Sequence, residues 1–133
     1  PLYWWKQAQR YHWFDFVSSQ STMHCLLKFD LSNQCVSDTN KEIVAILERI
    51  KDEYNAISED DKDAKKAKWR ELVASTPVGF CLGATMVTNY QQLKTMYKQR
   101  RYHKLKEWHV FCDWVETLPH FLELTGVKKE ENK

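Results

Sequence analysis

Arg100 is the residue whose position most clearly suggests binding chemistry. It lies four residues after Met96 and seven after Leu93, so it continues the apolar stripe of a predicted helix. An arginine on that stripe points toward a core or the rim of a cleft, where an unpaired guanidinium is too costly to persist. Arg100 therefore needs a fixed anionic partner, which is either a carboxylate of this chain or a ligand phosphate, whose geometry suits arginine.

Three more cationic side chains follow at the point where this helix is predicted to break. Arg101, His103 and Lys104 would form, with Arg100, a cluster of the kind that holds a nucleotide phosphate. A solvated basic face is the alternative for Arg101 and Lys104. The wider basic segment, residues 94–106, also allows a helical module that binds a protein or a nucleic acid, but the net charge of +2 is small for a nucleic-acid binder.

Two N-terminal segments are the other candidates for ligand contact. The polar run at residues 18–24 contains Gln20 and Ser21, whose amide and hydroxyl groups can contact a polar ligand, although an ordinary loop is the alternative. The aromatic block at residues 3–13 is either core or a platform for a planar ring. His12, within that block, is either a packing residue or a ligand or acid–base group.

The start of the helix that carries Arg100 is the last candidate segment. Thr88 and Asn89 are predicted to cap this helix, because either side chain can satisfy free backbone amides there. The alternative is that those amides face an anion.

Several common classes of site and protein find no support in the sequence. The four cysteines show no Cys-x-x-Cys spacing, so we interpret them as reduced, partly buried thiols and predict no metal site. No Walker loop, dinucleotide-binding glycine fingerprint or Gly-x-Ser-x-Gly elbow occurs. No apolar run approaches the roughly 18 residues of a membrane span, so we expect no membrane partner. The reduced cysteines favour a cytoplasmic protein.

A mostly helical chain is predicted to position these residues. Apolar residues recur at helical spacing over 40–57, over 58–74, and on both sides of a break near 102–103. Short strands or extended segments are predicted at three places: 14–17, 26–31 and 80–87. With 43% hydrophobic residues and six tryptophans, the chain is too apolar for a disordered tail. We therefore predict one domain over 1–133 of the α/β class, in its α+β form.

Residues along the C-terminal half match a family pattern at several separations at once. The matching residues are Arg70-Glu71-Leu72, Pro77, Val87-Thr88-Asn89, Leu93, Arg100, His103 and Glu107-Trp108. They resemble the C-terminal half of the flavin-dependent thymidylate synthases, in which an asparagine in a turn is followed eleven residues later by an arginine. Asn89 and Arg100 keep this separation, and the resemblance spans residues 48–119.

The N-terminal third matches the signatures of this family in part. The signature Arg-His-Arg is represented by Arg10-Tyr11-His12, and Ser-x-Arg-Tyr by Ser21-Thr22-Met23-His24, where Met23 replaces an arginine. This segment is similar to a divergent branch of the family found in bacteria and phages. The resemblance implies that this chain is the C-terminal two thirds of a longer one.

The resemblance implies an α/β, flavin-dependent thymidylate synthase-like fold that assembles as a homotetramer. In this family FAD and dUMP bind at sites shared between subunits, and NADPH reduces the flavin. A methylene group then passes from methylenetetrahydrofolate to dUMP. Because Met23 replaces a signature arginine, a catalytically silent nucleotide-binding homologue is the alternative.

The resemblance also implies roles for individual residues. Arg100 matches the arginine that holds and polarises dUMP, and Ser21 matches the serine beside the nucleotide, so both are candidate catalytic residues. The predicted nucleotide-binding residues are Gln20, Ser21, Arg100 and Arg101. The predicted FAD-binding residues are Arg10, His12, Asn89 and His103.

Overall fold

Helices make up most of the computed structural model, which describes residues 1–128. The elements in chain order are α1 Leu2–Ala8, β1 Phe14–Ser19, α2 Thr22–Cys25, α3 Leu31–Gln34, α4 Lys41–Ala56, α5 Lys62–Ser75, β2 Ala84–Thr88, α6 Tyr90–Arg100, α7 Lys106–Glu116 and α8 Phe121–Thr125. Strands β1 and β2 pair in an antiparallel two-stranded sheet. The predicted class, mixed and mostly helical, is confirmed. Within residues 1–128, no helix has the length and apolar character needed to cross a membrane.

The chain divides into two units, each built from pieces that are distant in sequence. The first unit comprises Pro1–Lys6 and Ser18–Thr85. The second comprises Gln7–Val17 and Met86–Lys133, of which the residues up to 128 are described. The single domain over 1–133 and the longer parent chain remain predictions.

The first unit is built around α4 and α5, which pack against each other. Its buried cluster consists of Leu26, Leu31, Leu47, Ile50, Leu72 and Phe80. Asn40 begins α4 by accepting the backbone N–H of Glu42 at 2.8 Å, and Asp61 begins α5 by accepting that of Ala64 at 3.0 Å. These caps satisfy amides that a helix start leaves free. Helix α4 begins beside the predicted start at residue 40, whereas α5 begins at Lys62, four residues after the predicted start at residue 58.

The predicted strand at 26–31 is wrong. The segment lies between the short helices α2 and α3, and it buries Leu26 and Leu31 completely. Asp30 begins α3 by accepting the backbone N–H groups of Ser32 and Asn33. A short apolar run fits a buried strand and a buried helical turn equally well, because both hide every side chain. Helix α1 was also not predicted, since its aromatic residues obscure the helical period.

The second unit packs α6, α7 and α8 against the segment Gln7–Val17. Its buried apolar residues are Ala8, Phe14, Leu93, Met96, Tyr97, Trp108, Cys112, Val115, Phe121 and Val127. Asn89 begins α6 by accepting the backbone N–H of Gln92 at 2.8 Å, which confirms the predicted cap. Leu93, Met96 and Tyr97 form the buried stripe of α6. The adjoining faces of α6 are free to carry polar side chains.

Candidate functional site

A cleft of about 750 Å³ lies within the second unit. Its lining residues are Arg10, Tyr11, His12, Trp13, Gln92, Thr95, Gln99 and Arg100. None of these eight side chains is acidic, whereas two are arginines. A cleft lined by one sign of charge attracts a ligand of the opposite sign, so this one favours an anion.

One wall of the cleft is a face of α6. Gln92, Thr95 and Gln99 are spaced three and then four residues apart, which places their side chains above one another on a helix. Arg100 is the last residue of the helix and extends this wall. The wall therefore presents a row of amide and hydroxyl groups that ends in a positive charge.

The opposite wall is the loop between α1 and β1. Backbone hydrogen bonds hold this loop: the N–H of Tyr11 donates to the carbonyl of Ala8 at 3.2 Å, and that of Phe14 to the carbonyl of Tyr11 at 3.3 Å. Ala8 and Phe14 are buried and anchor its two ends. The loop is thus tied at both ends to the core of the second unit, while Arg10, His12 and Trp13 remain exposed.

Neutral groups hold the Arg100 guanidinium in place. Its Nε donates to the Tyr11 hydroxyl at 2.8 Å, and its Nη1 donates to Gln7 Oε1 at 3.4 Å. Its Cζ lies 4.8 Å from the centroid of the buried Trp108 ring. Among residues 1–128, no carboxylate forms an ion pair with Arg100. The guanidinium is therefore fixed in position, and no carboxylate of residues 1–128 offsets its positive charge.

The residues that hold Arg100 are themselves held. The Tyr11 hydroxyl donates to Gln99 Oε1 at 2.9 Å, and Gln7 Oε1 also accepts the indole N–H of Trp108 at 2.8 Å. Each partner thus has a second contact that limits its rotation. Such a network orients a binding group before a ligand arrives, which reduces the entropy lost on binding.

Trp13 gives the cleft an aromatic surface. Its side chain is 59% exposed, although tryptophan is highly buried on average. It adjoins His12 on the loop, and both residues line the cleft. An exposed ring in a cleft that also contains Arg10 and Arg100 suits a ligand with a planar ring and an anionic group.

The four basic residues at 100–104 do not share one cavity. Arg101 forms ion pairs with Asp113 and, at 3.7 Å, with Glu116, and it lines a separate cavity of about 280 Å³. Successive residues on a helix point about 100° apart, so Arg100 and Arg101 face different sides. The predicted cationic cluster is therefore divided by the helix itself.

His103 and Asn89, two of the predicted FAD-binding residues, have structural contacts. Nδ1 of His103 accepts the backbone N–H of Leu105 at 3.1 Å, and its ring lies 6.3 Å from that of Trp108. Burial, followed by the nearby charge of Arg100, lowers the pKa of His103 from its usual value. The side-chain oxygen of Asn89 caps α6 by accepting the N–H of Gln92. Neither Asn89 nor His103 lines the cleft.

The predicted FAD-binding residues of one chain do not form one cavity. Arg10 and His12 line the cleft, whereas Asn89 and His103 do not. A ligand of that size needs a continuous set of contacts, so these four residues alone do not fit FAD. FAD binding remains a prediction.

Gln20 and Ser21 belong to the first unit. Gln20 is tied to Gly83, whose N–H donates to Gln20 Oε1 at 2.8 Å, while the Gln20 N–H donates to the Gly83 carbonyl at 2.9 Å. Ser21 precedes α2, and its side chain makes no capping hydrogen bond. Their predicted nucleotide-binding roles remain predictions.

Sequence reasoning missed the polar face of α6. The spacing of Gln92, Thr95 and Gln99 was the available signal, because three polar residues on one helix face can line a site. Such a row is also typical of a solvent-exposed face. The loop that turns this face into a cleft lies about 80 positions earlier, and no local pattern connects the two.

No family model, curated protein or solved structure matches this chain. The resemblance to flavin-dependent thymidylate synthases therefore stands on individual residues and their separations. Within residues 1–128, no group of three histidine, cysteine or acidic side chains is placed to hold a metal ion.

Proposed function

We propose that this chain binds an anionic nucleotide in the cleft of the second unit, with Arg100 holding the anionic group. The observation that carries the proposal is the state of the Arg100 guanidinium. It is fixed by Tyr11 and Gln7, it faces a cleft, and no carboxylate within residues 1–128 neutralises it. A phosphate supplies the missing negative charge and accepts hydrogen bonds from a guanidinium in a suitable geometry.

The rest of the cleft supports a ligand larger than a free phosphate. Its volume, about 750 Å³, falls within the range of small-molecule sites. Trp13 offers a surface on which a base can stack. Arg10 and His12 add donors at the rim, where further phosphate oxygens can be bound.

The resemblance gives this proposal its most specific form, a flavin-dependent thymidylate synthase-like enzyme. Its nucleotide is then dUMP, and it uses FAD, NADPH and methylenetetrahydrofolate to transfer a methylene group. The separation of Asn89 and Arg100 and the position of Arg100 in a cleft support this form. Since Asn89 and His103 lie outside that cleft, FAD would need contacts from other subunits of a homotetramer.

A catalytically silent nucleotide-binding protein is the second candidate. Two observations favour it: Arg101 forms an ion pair with Asp113 and lines a separate cavity, and Met23 replaces an arginine of the family signature. Both candidates predict nucleotide binding. They differ in turnover, which release of tritium from C5 of labelled dUMP measures in the presence of FAD, NADPH and methylenetetrahydrofolate.

Titration calorimetry with the full chain tests the shared proposal. The ligands are dUMP, deoxyuridine and inorganic phosphate, which separate the ring from the anion. We expect dUMP to bind at least about tenfold more tightly than either fragment, because it engages both Arg100 and Trp13. Equal affinity for phosphate and dUMP, or no binding of dUMP at millimolar concentration, would overturn the proposal.

A further inference from the structure

Gln92 is buried, lines the cleft and leaves its side-chain amide unused. The residue is only 7% exposed. Its backbone N–H donates to Asn89, but its carboxamide forms no hydrogen bond with any atom of residues 1–128. Its amide atoms are not among those of residues 1–128 that are fully enclosed without a partner, so they open into the cleft, where they offer two donors and one acceptor. The Gln92 carboxamide is thus prepared for a partner that enters the cleft.

The other amide on this wall is already engaged. Gln99 accepts the Tyr11 hydroxyl at 2.9 Å and so belongs to the network around Arg100. Gln92 lies at the opposite end of the same face, eight residues before Arg100. A helix rises about 1.5 Å per residue, so about 12 Å of axis separates the two positions. The wall therefore has an anion-binding end and a neutral end whose amide is free.

We infer that the Gln92 carboxamide hydrogen-bonds the edge of the ligand's planar ring, at an imide group. This inference rests on the proposed function and deepens it. In an imide, an N–H lies beside a carbonyl, and a carboxamide complements this pair because its oxygen accepts while its NH₂ donates. Uracil and the flavin ring both carry such an edge, so the shared chemistry is the imide and the two rings are its possible sources.

The geometry gives each end of such a ligand a different contact. Arg100 holds the anionic group, Trp13 covers the face of the ring, and Gln92 contacts the ring edge. A ring without an N–H beside its carbonyl would leave the Gln92 oxygen unpaired. Such a ligand would bind weakly, because it would bury the Gln92 oxygen without giving it a hydrogen bond, and this costs binding free energy.

Methylation of the ring nitrogen tests the inference from the ligand side. Calorimetry compares dUMP with its N3-methyl derivative, and FMN with its N3-methyl derivative, on the wild-type chain and on Gln92→Leu. For whichever of dUMP and FMN carries the ring that the cleft binds, we expect N3-methylation to weaken binding to the wild type by about 10- to 100-fold. Gln92→Leu should bind the unmethylated ligand more weakly by a similar factor and respond little to methylation.

The control variant is Gln91→Leu, which makes the same change at an exposed neighbouring position on α6. It should keep the affinity and the methylation response of the wild type. A melting temperature that is unchanged or raised in Gln92→Leu supports a ligand role, since the amide forms no hydrogen bond within residues 1–128 whose loss would weaken the fold.

The outcomes separate the two proposals. Loss of the methylation response in Gln92→Leu supports the inference, and the arm that shows it identifies uracil or flavin as the ring. If Gln92→Leu discriminates against methylation as strongly as the wild type, the inference is overturned while nucleotide binding stands. If the wild type binds neither dUMP nor FMN, both proposals are overturned.

Discussion

Arg100 and Tyr11, which are 89 positions apart in the sequence, are joined by a 2.8 Å hydrogen bond from Nε of the guanidinium to the phenol oxygen. The guanidinium Cζ also lies 5.6 Å from the centroid of the Tyr11 ring. This pairing connects the end of α6 to the loop that precedes β1. It orients a positive charge with a neutral partner, which leaves that charge available to a ligand.

The first prediction concerns the Tyr11 hydroxyl. Tyr11→Phe removes the acceptor of Arg100 Nε and the donor to Gln99 but keeps the ring. We expect dUMP binding to weaken by about 0.5–1.5 kcal/mol, the usual net contribution of one hydrogen bond, as measured by calorimetry. Tyr102→Phe is the matched control, since Tyr102 is 75% exposed. An unchanged affinity in Tyr11→Phe would mean that the hydroxyl does not orient the guanidinium for binding.

The second prediction concerns the aromatic surface of the cleft. Trp13→Leu removes a stacking surface that is worth about 1–3 kcal/mol per base. We expect this loss in the binding of dUMP but not in that of inorganic phosphate. Trp114→Leu is the control, because Trp114 is 50% exposed on α7 and does not line the cleft. Equal losses of affinity for dUMP and phosphate would show that Trp13 supports the fold and does not stack on the base of the ligand.

The third prediction concerns stability and the residue behind Arg100. Gln7 Oε1 accepts hydrogen bonds from both Arg100 and the buried indole of Trp108. Gln7→Leu removes the hydrogen-bond acceptor of both the indole N–H and the Arg100 guanidinium, so we expect the free energy of unfolding to fall by about 1–3 kcal/mol. Urea denaturation measures it, and Gln9→Leu, at an exposed neighbouring position, should change it little. A variant as stable as the wild type would show that the indole finds another acceptor.

The fourth prediction concerns pH. Burial, followed by the charges of Arg100, His109 and Lys104, lowers the pKa of His103 below its usual value of 6.5. The unfolded chain then binds the proton more readily, so stability from this group is lost as pH falls below about 6.5 toward the folded pKa. His103→Asn keeps an acceptor for the Leu105 N–H but removes the titration.

Denaturation between about pH 5 and 7 checks this prediction. We expect the free energy of unfolding to fall less steeply with decreasing pH in His103→Asn than in the wild type. His12→Asn, at an exposed histidine, controls for the loss of an imidazole. An identical pH slope in His103→Asn and the wild type would contradict the assignment.

The starts of α4, α5 and α6 could be predicted from the sequence to within four residues, because their causes are local. Asn40, Asp61 and Asn89 each bond an amide two or three residues ahead, so residue type and spacing suffice. The position of Arg100 on a cleft wall follows from its place on the stripe of α6. In contrast, the pairing with Tyr11 depends on a distant loop, and no spacing within α6 indicates it.

The contrast between Gln92 and Gln99 shows the same limit inside the cleft. The sequence places both residues on one helix face, but it cannot tell that one accepts the Tyr11 hydroxyl and the other has no partner within residues 1–128. That difference depends on which loop residues oppose each amide. That Arg100 and Arg101 face different sides could have been predicted from the sequence, because adjacent residues on a helix point in different directions.

Calorimetric titration of Arg100→Gln with dUMP tests the central claim most directly, with Lys98→Gln as a control that removes the same charge from an exposed position on the same helix. Because the Arg100 guanidinium is the proposed anion-binding group, Arg100→Gln should weaken dUMP binding by about 10- to 100-fold. Lys98→Gln should change the affinity by less than about twofold. Both melting temperatures should permit measurement at 25 °C, and Arg100→Lys gives a second variant that keeps the charge. Equal affinity for dUMP in Arg100→Gln and Lys98→Gln would contradict the account.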